Sequence, residues 1–114
     1  MHEISLIRNI FRTLDSEFEA EELDKLSQIE LKVGLLSNVE PISMQNAFDA
    51  VTQDEQRFLN TKLKVNVVPI IIKCEICGDV SEVKNYLFKC RNGHPTKNVI
   101  QGEELLIERV HFDD

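Results

Sequence analysis

The clearest chemistry in this sequence belongs to three cysteines and one histidine in the second half of the chain. Two residues separate Cys74 from Cys77, and Gly78 follows, a spacing that lets two thiolates of one tight turn meet one ion. Twelve residues separate Cys77 from Cys90, and His94 lies within reach of the same second turn. Three thiolates and an imidazole are a closed tetrahedral set of the kind that zinc uses structurally. We predict that Cys74, Cys77, Cys90 and His94 bind a structural Zn(II).

The fourth ligand of this site is an inference, because the commoner pattern has a second C-x-x-C. That pattern would place a cysteine where this chain has Gly93, which has no side chain to bind a metal. His94 is the inferred substitute, with Asp79 and His111 as the remaining candidates. Asp79 is disfavoured because it sits two residues past Cys77, and His111 because it belongs to the terminal strand.

Other chemistries of the cysteines are weaker explanations. The cysteines could be small buried hydrophobes, with His94 in a loop. A redox C-x-x-C normally opens a helix after a strand, whereas Gly78–Val83 has the character of a turn followed by a strand. A catalytic zinc would need an open coordination position and a general base, and no nearby Glu-His arrangement supplies one.

The chain start offers a second set of metal donors. The Met1 amine, the His2 amide nitrogen and the His2 imidazole can close two fused chelate rings on one ion, and Glu3 can offer a fourth donor. This tetragonal nitrogen and oxygen field suits Ni(II) or Cu(II). Taken alone, a histidine beside a chain start is more often a frayed residue without a function.

The elements that must position these residues follow from hydrophobic spacing. Apolar residues at helical spacing predict a first helix over about 4–18, and the acidic run Glu17–Asp24 is interpreted as its solvated face and end. Glu40-Pro41 is typical of the start of a second helix. Period-two alternation predicts two strands, the second stopped near Pro69. The positions that carry these predictions are Ile4, Ile7, Phe11, Leu14 and Phe18; Ile29, Leu31 and Val33; Met44, Ala47, Phe48 and Val51; Leu63, Val65 and Val67.

The segment Ile70–Asn98 differs in kind from its surroundings. It holds all three cysteines and five basic residues against three acidic ones, whereas the whole chain has 13 basic and 20 acidic residues. We therefore predict an α+β fold with a zinc-binding domain at 70–98, inserted into a domain made of 1–69 and 99–114. Residues 99–114 regain strand character and are expected to rejoin the first sheet.

Composition excludes several classes of protein. A chain of 114 residues holds one compact domain, or a small core with an appendage. Its net charge of −7 argues against a nucleic-acid partner. The longest apolar run is far shorter than the roughly 20 residues that span a bilayer, so no membrane contact is expected. The start lacks the pattern of a signal peptide, and an odd number of cysteines suits a reducing compartment, so we expect a cytoplasmic location.

The chain resembles the HypA/HybF family of nickel metallochaperones for hydrogenase maturation. The resemblance rests on five segments in the family's order: Met1-His2-Glu3-Ile4-Ser5-Leu6, Val33-Gly34-Leu35, Val39-Glu40-Pro41, the late C-x-x-C turn Cys74-Glu75-Ile76-Cys77-Gly78, and Gly102-Glu103-Glu104-Leu105-Leu106-Ile107. It implies nickel ligands at Met1, His2 and Glu3, a structural zinc, and a two-helix, mixed-sheet nickel-binding domain with a zinc-ribbon-like lobe inserted before the last strand. The chain departs from the family at the missing fourth cysteine and at Leu35, where an acidic residue is usual.

This resemblance predicts a nickel-delivery protein that is not an enzyme. Its expected partners are the maturation GTPase of the hydrogenase system and a nickel-enzyme precursor, the large subunit of a [NiFe]-hydrogenase. The alternative from another class is a zinc-ribbon module that binds RNA or a protein without nickel chemistry. Only residues 70–98 could meet phosphate, and they offer little aromatic surface beyond Tyr86 and Phe88.

Overall fold

The fold is a mixture of helices and two small sheets, which confirms the predicted α+β class. The structure is a computed structural model that describes residues 2–114, with the backbone alone for His2. In chain order the elements are α1 (His2–Glu17), α2 (Ala20–Leu23), β1 (Leu26–Gly34), a 3-10 helix (Leu35–Ser37), α3 (Pro41–Glu55), β2 (Lys62–Val68), β3 (Ile71–Lys73), β4 (Val80–Glu82), β5 (Val99–Gln101) and β6 (Leu105–Phe112). One sheet has the strand order β2-β1-β6, and the other has the order β4-β3-β5. Over the described residues, no helix has both the length and the apolar character needed to cross a membrane.

The chain divides into two compact units. The first, called here the helical unit, comprises Met1–Leu31, Val39–Asn66 and Leu106–Asp114. The second, the cysteine unit, comprises Lys32–Asn38 and Val67–Leu105. The division into a nickel-binding domain and a zinc-binding domain at 69/70 and 98/99 is a division by function, and it stays a prediction.

The core of the helical unit joins the apolar stripes of α1 and α3 to the inner face of β1. Most residues that the helical and alternating patterns selected here are fully or almost fully buried: Ile7, Phe11, Leu14, Ile29, Leu31, Met44, Ala47, Phe48 and Val51. Ile4, Phe18 and Val65 are half-buried, and Val67 is exposed, so the patterns overestimated the burial at these positions. Phe11 and Phe48 meet edge to face with ring centroids 6.0 Å apart. Pro41 occupies the first turn of α3, where its missing N–H costs nothing. The predicted helical stripes are therefore the packing surfaces of this unit.

The acidic run Glu17–Asp24 is not the end of the first helix, so this part of the prediction was wrong. α1 ends at Glu17, and a separate short helix, α2, follows. The backbone N–H of Glu19 donates to the Glu22 carboxylate at 2.9 Å, which caps the new helix at its start. Leu23 is buried, so the run contributes to the core as well as to the surface.

Glu30 in the central strand is buried, although the alternation of β1 predicted a solvent-facing position. Only 8% of the surface of Glu30 is exposed to solvent. The two flanking strands explain this, because His111 Nε2 lies 2.5 Å from a Glu30 oxygen and Asn66 donates to the other at 3.2 Å. These hydrogen bonds, led by His111, hold the pKa of the Glu30 carboxyl below its usual value.

The sheet of the cysteine unit is built on β3, which pairs antiparallel with both β4 and β5. Ile72 lies opposite Ser81 on one side and Val99 on the other. Ile70, Ile72 and Val83 form a small buried cluster on which Val99 packs. The expectation that residues 99–114 as a whole rejoin the first sheet is therefore corrected: β5 belongs to this second sheet, and only β6 joins the first.

Two glycines let the start of β6 approach the end of β1 within the cysteine unit. The Gly34 N–H donates to the Glu104 carbonyl, and the Leu36 N–H donates to the Gly102 carbonyl, both at 2.8 Å. A Cβ on Gly34 would lie 2.0 Å from the Gly102 carbonyl carbon. Only glycine at position 34 permits this backbone contact, which is called here the glycine crossing.

A tight turn joins Lys84 to Leu87 in the cysteine unit. These two residues form an antiparallel bridge, and the residues between them, Asn85 and Tyr86, have φ of 57° and 58°. Two successive positive φ angles are typical of a type I′ hairpin turn, which favours asparagine followed by glycine. Here tyrosine takes the second position, with 65% of its surface exposed.

Candidate metal centre

The four predicted zinc ligands come together in the cysteine unit. One ligand atom from each of Cys74, Cys77, Cys90 and His94 lies within 4.8 Å of the others. Cys74 immediately follows β3, and Cys77 ends the turn between β3 and β4. Cys90 and His94 flank a second metal-site turn, which lies beyond the Lys84–Leu87 turn along the chain. Over residues 2–114, this is the one group of three or more histidine, cysteine or carboxylate residues close enough to share an ion.

The first turn is held by backbone hydrogen bonds around its two cysteines. The Gly78 N–H donates to the Cys74 carbonyl at 2.9 Å, and the Cys74 N–H donates to the Asp79 carbonyl at 2.8 Å. Gly78 has φ of 74°, a left-handed conformation that glycine adopts without strain. The turn aims both sulfurs to one side while Cys74 is buried and Cys77 is exposed.

The second turn closes between Cys90 and His94. The Gly93 N–H donates to the Cys90 carbonyl at 2.9 Å, and the Cys90 N–H donates to the His94 carbonyl at 3.0 Å. The His94 N–H also points at the Cys90 sulfur at 3.4 Å. Backbone N–H groups directed at a sulfur stabilise its thiolate form, which is the form that binds metal.

The distances between the ligand atoms match those of a tetrahedral zinc site. Zn–S bonds of about 2.3 Å at tetrahedral angles place two thiolates about 3.8 Å apart. The Cys77 and Cys90 sulfurs are 3.7 Å apart, and His94 Nδ1 lies 3.7 Å from the Cys74 sulfur and 3.3 Å from that of Cys90. The donor set therefore fits zinc in both type and spacing.

The hydrogen bonds around the cluster favour thiolates at two of the three cysteines. The backbone N–H of Asp79, followed by His94 and Asn92, lowers the pKa of the Cys77 thiol to about 6. The backbone N–H of Cys77 is the main cause of a lowered pKa at Cys74. Burial raises the pKa of Cys90 instead. Cys74 and Cys77 therefore lose their protons more readily than an ordinary cysteine, which favours metal binding.

Asp79 and His111, the other candidates for the fourth ligand, are engaged elsewhere. The Asp79 carboxylate accepts hydrogen bonds from Ser81 Oγ at 3.0 Å and from the Arg91 backbone N–H at 3.1 Å, which tie the two turns together. His111 contacts Glu30 in the helical unit. The bracing role of Asp79 was not predicted from the sequence, although the Asp-x-Ser spacing after a cysteine turn is a usable signal.

Of the predicted nickel donors, the structure fully describes only Glu3, at the start of α1. Met1 and the side chain of His2 are outside the described residues. Glu3 occupies the first helical turn and is half-buried. The structure therefore places the predicted Glu3 donor on a helix.

His111, in β6, lies near the opposite end of α1 from Glu3. Phe112, its neighbour, packs on Phe18 with ring centroids 5.1 Å apart, which places the end of β6 beside the C-terminal end of α1. α1 has 16 residues and so spans about 24 Å. Glu3 and His111 therefore lie near opposite ends of one helix.

Comparisons with known proteins agree with this architecture. The sequence profile of a family described as "Hydrogenase/urease nickel incorporation, metallochaperone, hypA" matches residues 1–112. A protein of Desulfitobacterium hafniense named hydrogenase maturation factor HypA is 30% identical, and the match covers 100% of both chains. A protein of the same name from Acidithiobacillus ferrooxidans is 31% identical over 99% of this chain and 100% of its own.

Two solution structures share the fold. The nickel metallochaperone HypA from Helicobacter pylori is similar with a TM-score of 0.65 and 18% identity over 96% of each chain. A second structure, described as HypA protein, gives a TM-score of 0.68 and 18% identity over 98% of this chain and 96% of that one. At this identity the structural likeness concerns the fold alone.

Proposed function

Since the chain belongs to the HypA family of nickel metallochaperones for hydrogenase maturation, we propose that it binds Ni(II) at its N-terminus and delivers it to the precursor of a nickel enzyme. The observation that carries the proposal is the family match over residues 1–112, which begins at the Met-His-Glu chain start. The donors are the Met1 amine, the His2 amide and imidazole, and Glu3. A site with few side-chain ligands at a chain terminus is open to attack by an incoming ligand, as delivery requires.

The proposed recipient is the large subunit of a [NiFe]-hydrogenase, and the proposed partner is the maturation GTPase of that system. The hydrogenase maturation role of the family supports both assignments. The protein carries its metal as cargo and is not an enzyme. Free thiols at all three cysteines are compatible with the reducing cytoplasm, which we propose as its location.

The second metal of the proposal is a structural Zn(II) held by Cys74, Cys77, Cys90 and His94. The tetrahedral spacing of the four donor atoms supports it. When bound, zinc would cross-link the two turns of the cysteine unit. The buried cluster of that unit contains only Ile70, Ile72 and Val83, so metal binding supplies stability that its apolar core cannot.

Nickel titration of the untagged protein tests the proposed cargo site. We expect tetragonal d-d absorption in the wild-type protein and its loss in His2→Ala. One residue added before Met1 should abolish it equally, because it turns the amine into a weaker amide donor while keeping every side chain. His111→Ala is the matched control and should bind normally, since His111 lies near the other end of α1. Unchanged Ni(II) affinity in the extended protein would show that the amine is not a ligand.

A further inference from the structure

The two metal-binding turns of the cysteine unit differ in the order of glycine and ligand. In the first turn the ligand Cys77 comes three residues after Cys74, and the left-handed glycine, Gly78, follows it. In the second turn the left-handed glycine comes first, as Gly93 with φ of 85°, three residues after Cys90. The ligand then follows at position 94, one residue later than in the first turn.

The reversed order of glycine and ligand in the second turn is accompanied by a change in the length of the ligand side chain. A cysteine sulfur is two bonds from its Cα, whereas the Nδ1 atom of histidine is three bonds away and Nε2 is four. The ligand at position 94, one residue further along than in the first turn, thus has a longer side chain than cysteine. A Cβ built on Gly93 would meet nothing within 4 Å, so glycine stands there because of its backbone conformation and not because space is short.

The imidazole of His94 presents one particular nitrogen to the sulfurs. Nδ1 lies 3.3 Å from the Cys90 sulfur and 3.7 Å from the Cys74 sulfur. For Zn–S bonds of about 2.3 Å and Zn–N bonds of about 2.05 Å, tetrahedral geometry requires a nitrogen–sulfur separation of about 3.6 Å. Both observed separations lie close to this value.

We infer that His94 binds the zinc through Nδ1 and keeps its proton on Nε2, which points away from the metal. The inference rests on the zinc site proposed above and specifies its chemistry. A neutral imidazole in place of a fourth thiolate gives the loaded site a formal charge of −1, where four cysteines would give −2. It also leaves a ring N–H, polarised by the metal, free to donate a hydrogen bond, as metal-bound histidines commonly do.

Nitrogen NMR of the zinc-loaded protein tests this inference directly. Long-range proton–nitrogen spectra of the histidine rings assign each nitrogen as protonated, bare or metal-bound. We expect His94 Nδ1 to be metal-bound and Nε2 to be protonated. His111 is an internal reference, because its ring contacts Glu30 and no metal. A metal-bound Nε2, or a His94 ring without bound metal in zinc-loaded protein, would overturn the inference.

A pair of substitutions gives a second test by zinc affinity. A carboxylate oxygen of aspartate is three bonds from Cα, like Nδ1, and that of glutamate is four bonds away, like Nε2. His94→Asp should therefore retain zinc more tightly than His94→Glu in competition with a colorimetric chelator. Misplaced donors and lost ligand orientation typically cost about 10–100-fold in metal affinity, which is the expected difference between the variants.

The two tests separate the failure of this inference from that of the proposed zinc site. Tighter binding by His94→Glu than by His94→Asp contradicts ligation through Nδ1 and leaves the zinc site in place. Wild-type protein that binds no zinc contradicts the site itself, and the assignment falls with it. Ni(II) binding at the chain start is measured independently and should be equal in both variants.

Discussion

Two aromatic residues with left-handed backbone show how one strained conformation can be compensated or left uncompensated. Phe58 and Tyr86 both have φ of 58°, which is uncommon for bulky side chains. The Phe58 ring packs edge to face on Phe11, with centroids 4.7 Å apart, and carries the Arg57 guanidinium 4.4 Å from its centre. Tyr86 is 65% exposed. The strain at Phe58 is offset by packing, and that at Tyr86 is not.

Tyr86→Gly should therefore stabilise the protein, because glycine takes a positive φ without the cost of about 1–2 kcal/mol that other residues incur. After the entropy lost by glycine on folding, we expect a gain of about 1 kcal/mol. Urea unfolding of the zinc-loaded protein measures it. Phe58→Gly is the matched control and should destabilise, since it removes the ring contacts as well as the strain. Destabilisation by Tyr86→Gly would show that the exposed ring contributes to folding.

Glu30 gives the stability of the protein a defined dependence on acid. Its pKa is lowered in the folded state, first by His111 and then by Asn66. A carboxyl with a lowered folded pKa stabilises the protein above its unfolded pKa of about 4.3, and this contribution is lost as pH falls through the folded pKa. Glu30→Gln should therefore unfold more easily than wild type at neutral pH, and the two should converge in acid.

Chemical unfolding of both proteins over a pH series measures this convergence. Glu103→Gln is a suitable control, because Glu103 is exposed and should leave the wild-type profile unchanged. If the free energy of unfolding of Glu30→Gln is below that of wild type by the same amount at every pH, the lost stability comes from packing. The ionised carboxylate would then have no part in it.

At the scale of elements, periodicity predicted the parts of the fold that are decided locally. The stripes of α1 and α3 and the alternation in β1 and β2 each depend on one segment meeting one core, so spacing alone identifies them. Glu30 was misplaced because its burial depends on His111 and Asn66 from two other strands. β5 was assigned to the wrong sheet because Val99 packs on Ile72, a partner far away in sequence.

The candidate metal centre was more predictable than the sheet that supports it. Its four residues are recognisable by type and by spacing within two short turns, which local geometry brings together. The approach of His94 Nδ1 to the Cys90 sulfur and the hydrogen bond from the Arg91 N–H to Asp79 were not predicted, because both depend on how the second turn closes in three dimensions.

The glycine crossing makes position 34 the least tolerant glycine of the cysteine unit. Gly34→Ala would place a Cβ 2.0 Å from backbone atoms of Gly102, so the two hydrogen bonds between these segments must break or shift. We expect the free energy of unfolding to fall by about 3 kcal/mol or more, because backbone atoms can move aside less easily than the side chains of an overpacked core.

Gly78→Ala is the matched control for this substitution. A Cβ there meets nothing within 4 Å, so the expected cost is the backbone strain alone, about 1 kcal/mol. Urea unfolding of the zinc-loaded variants gives both values. If Gly34→Ala and Gly78→Ala lower the free energy of unfolding equally, the close approach of the Gly34 and Gly102 backbones is contradicted.

At the scale of the whole molecule, the two units have different sources of stability. The helical unit buries Phe11, Leu14, Met44 and other large side chains, whereas the cysteine unit has a buried cluster of three aliphatic residues. Removing zinc with a chelator should therefore unfold the cysteine unit and leave most of the helical circular dichroism unchanged. If the helical circular dichroism is lost in the same step as the structure of the cysteine unit, the two units unfold together. Restoring Zn(II) should reverse the change.

The exposed Tyr86 in the 84–87 turn is an intrinsic fluorescence probe of the cysteine unit. The chain has one tyrosine and no tryptophan, so fluorescence excited at wavelengths that phenylalanine does not absorb comes from Tyr86 alone. This tyrosine emission originates in the cysteine unit. Tyrosine fluorescence and helical circular dichroism of one unlabelled sample therefore report separately on the cysteine unit and on the helices.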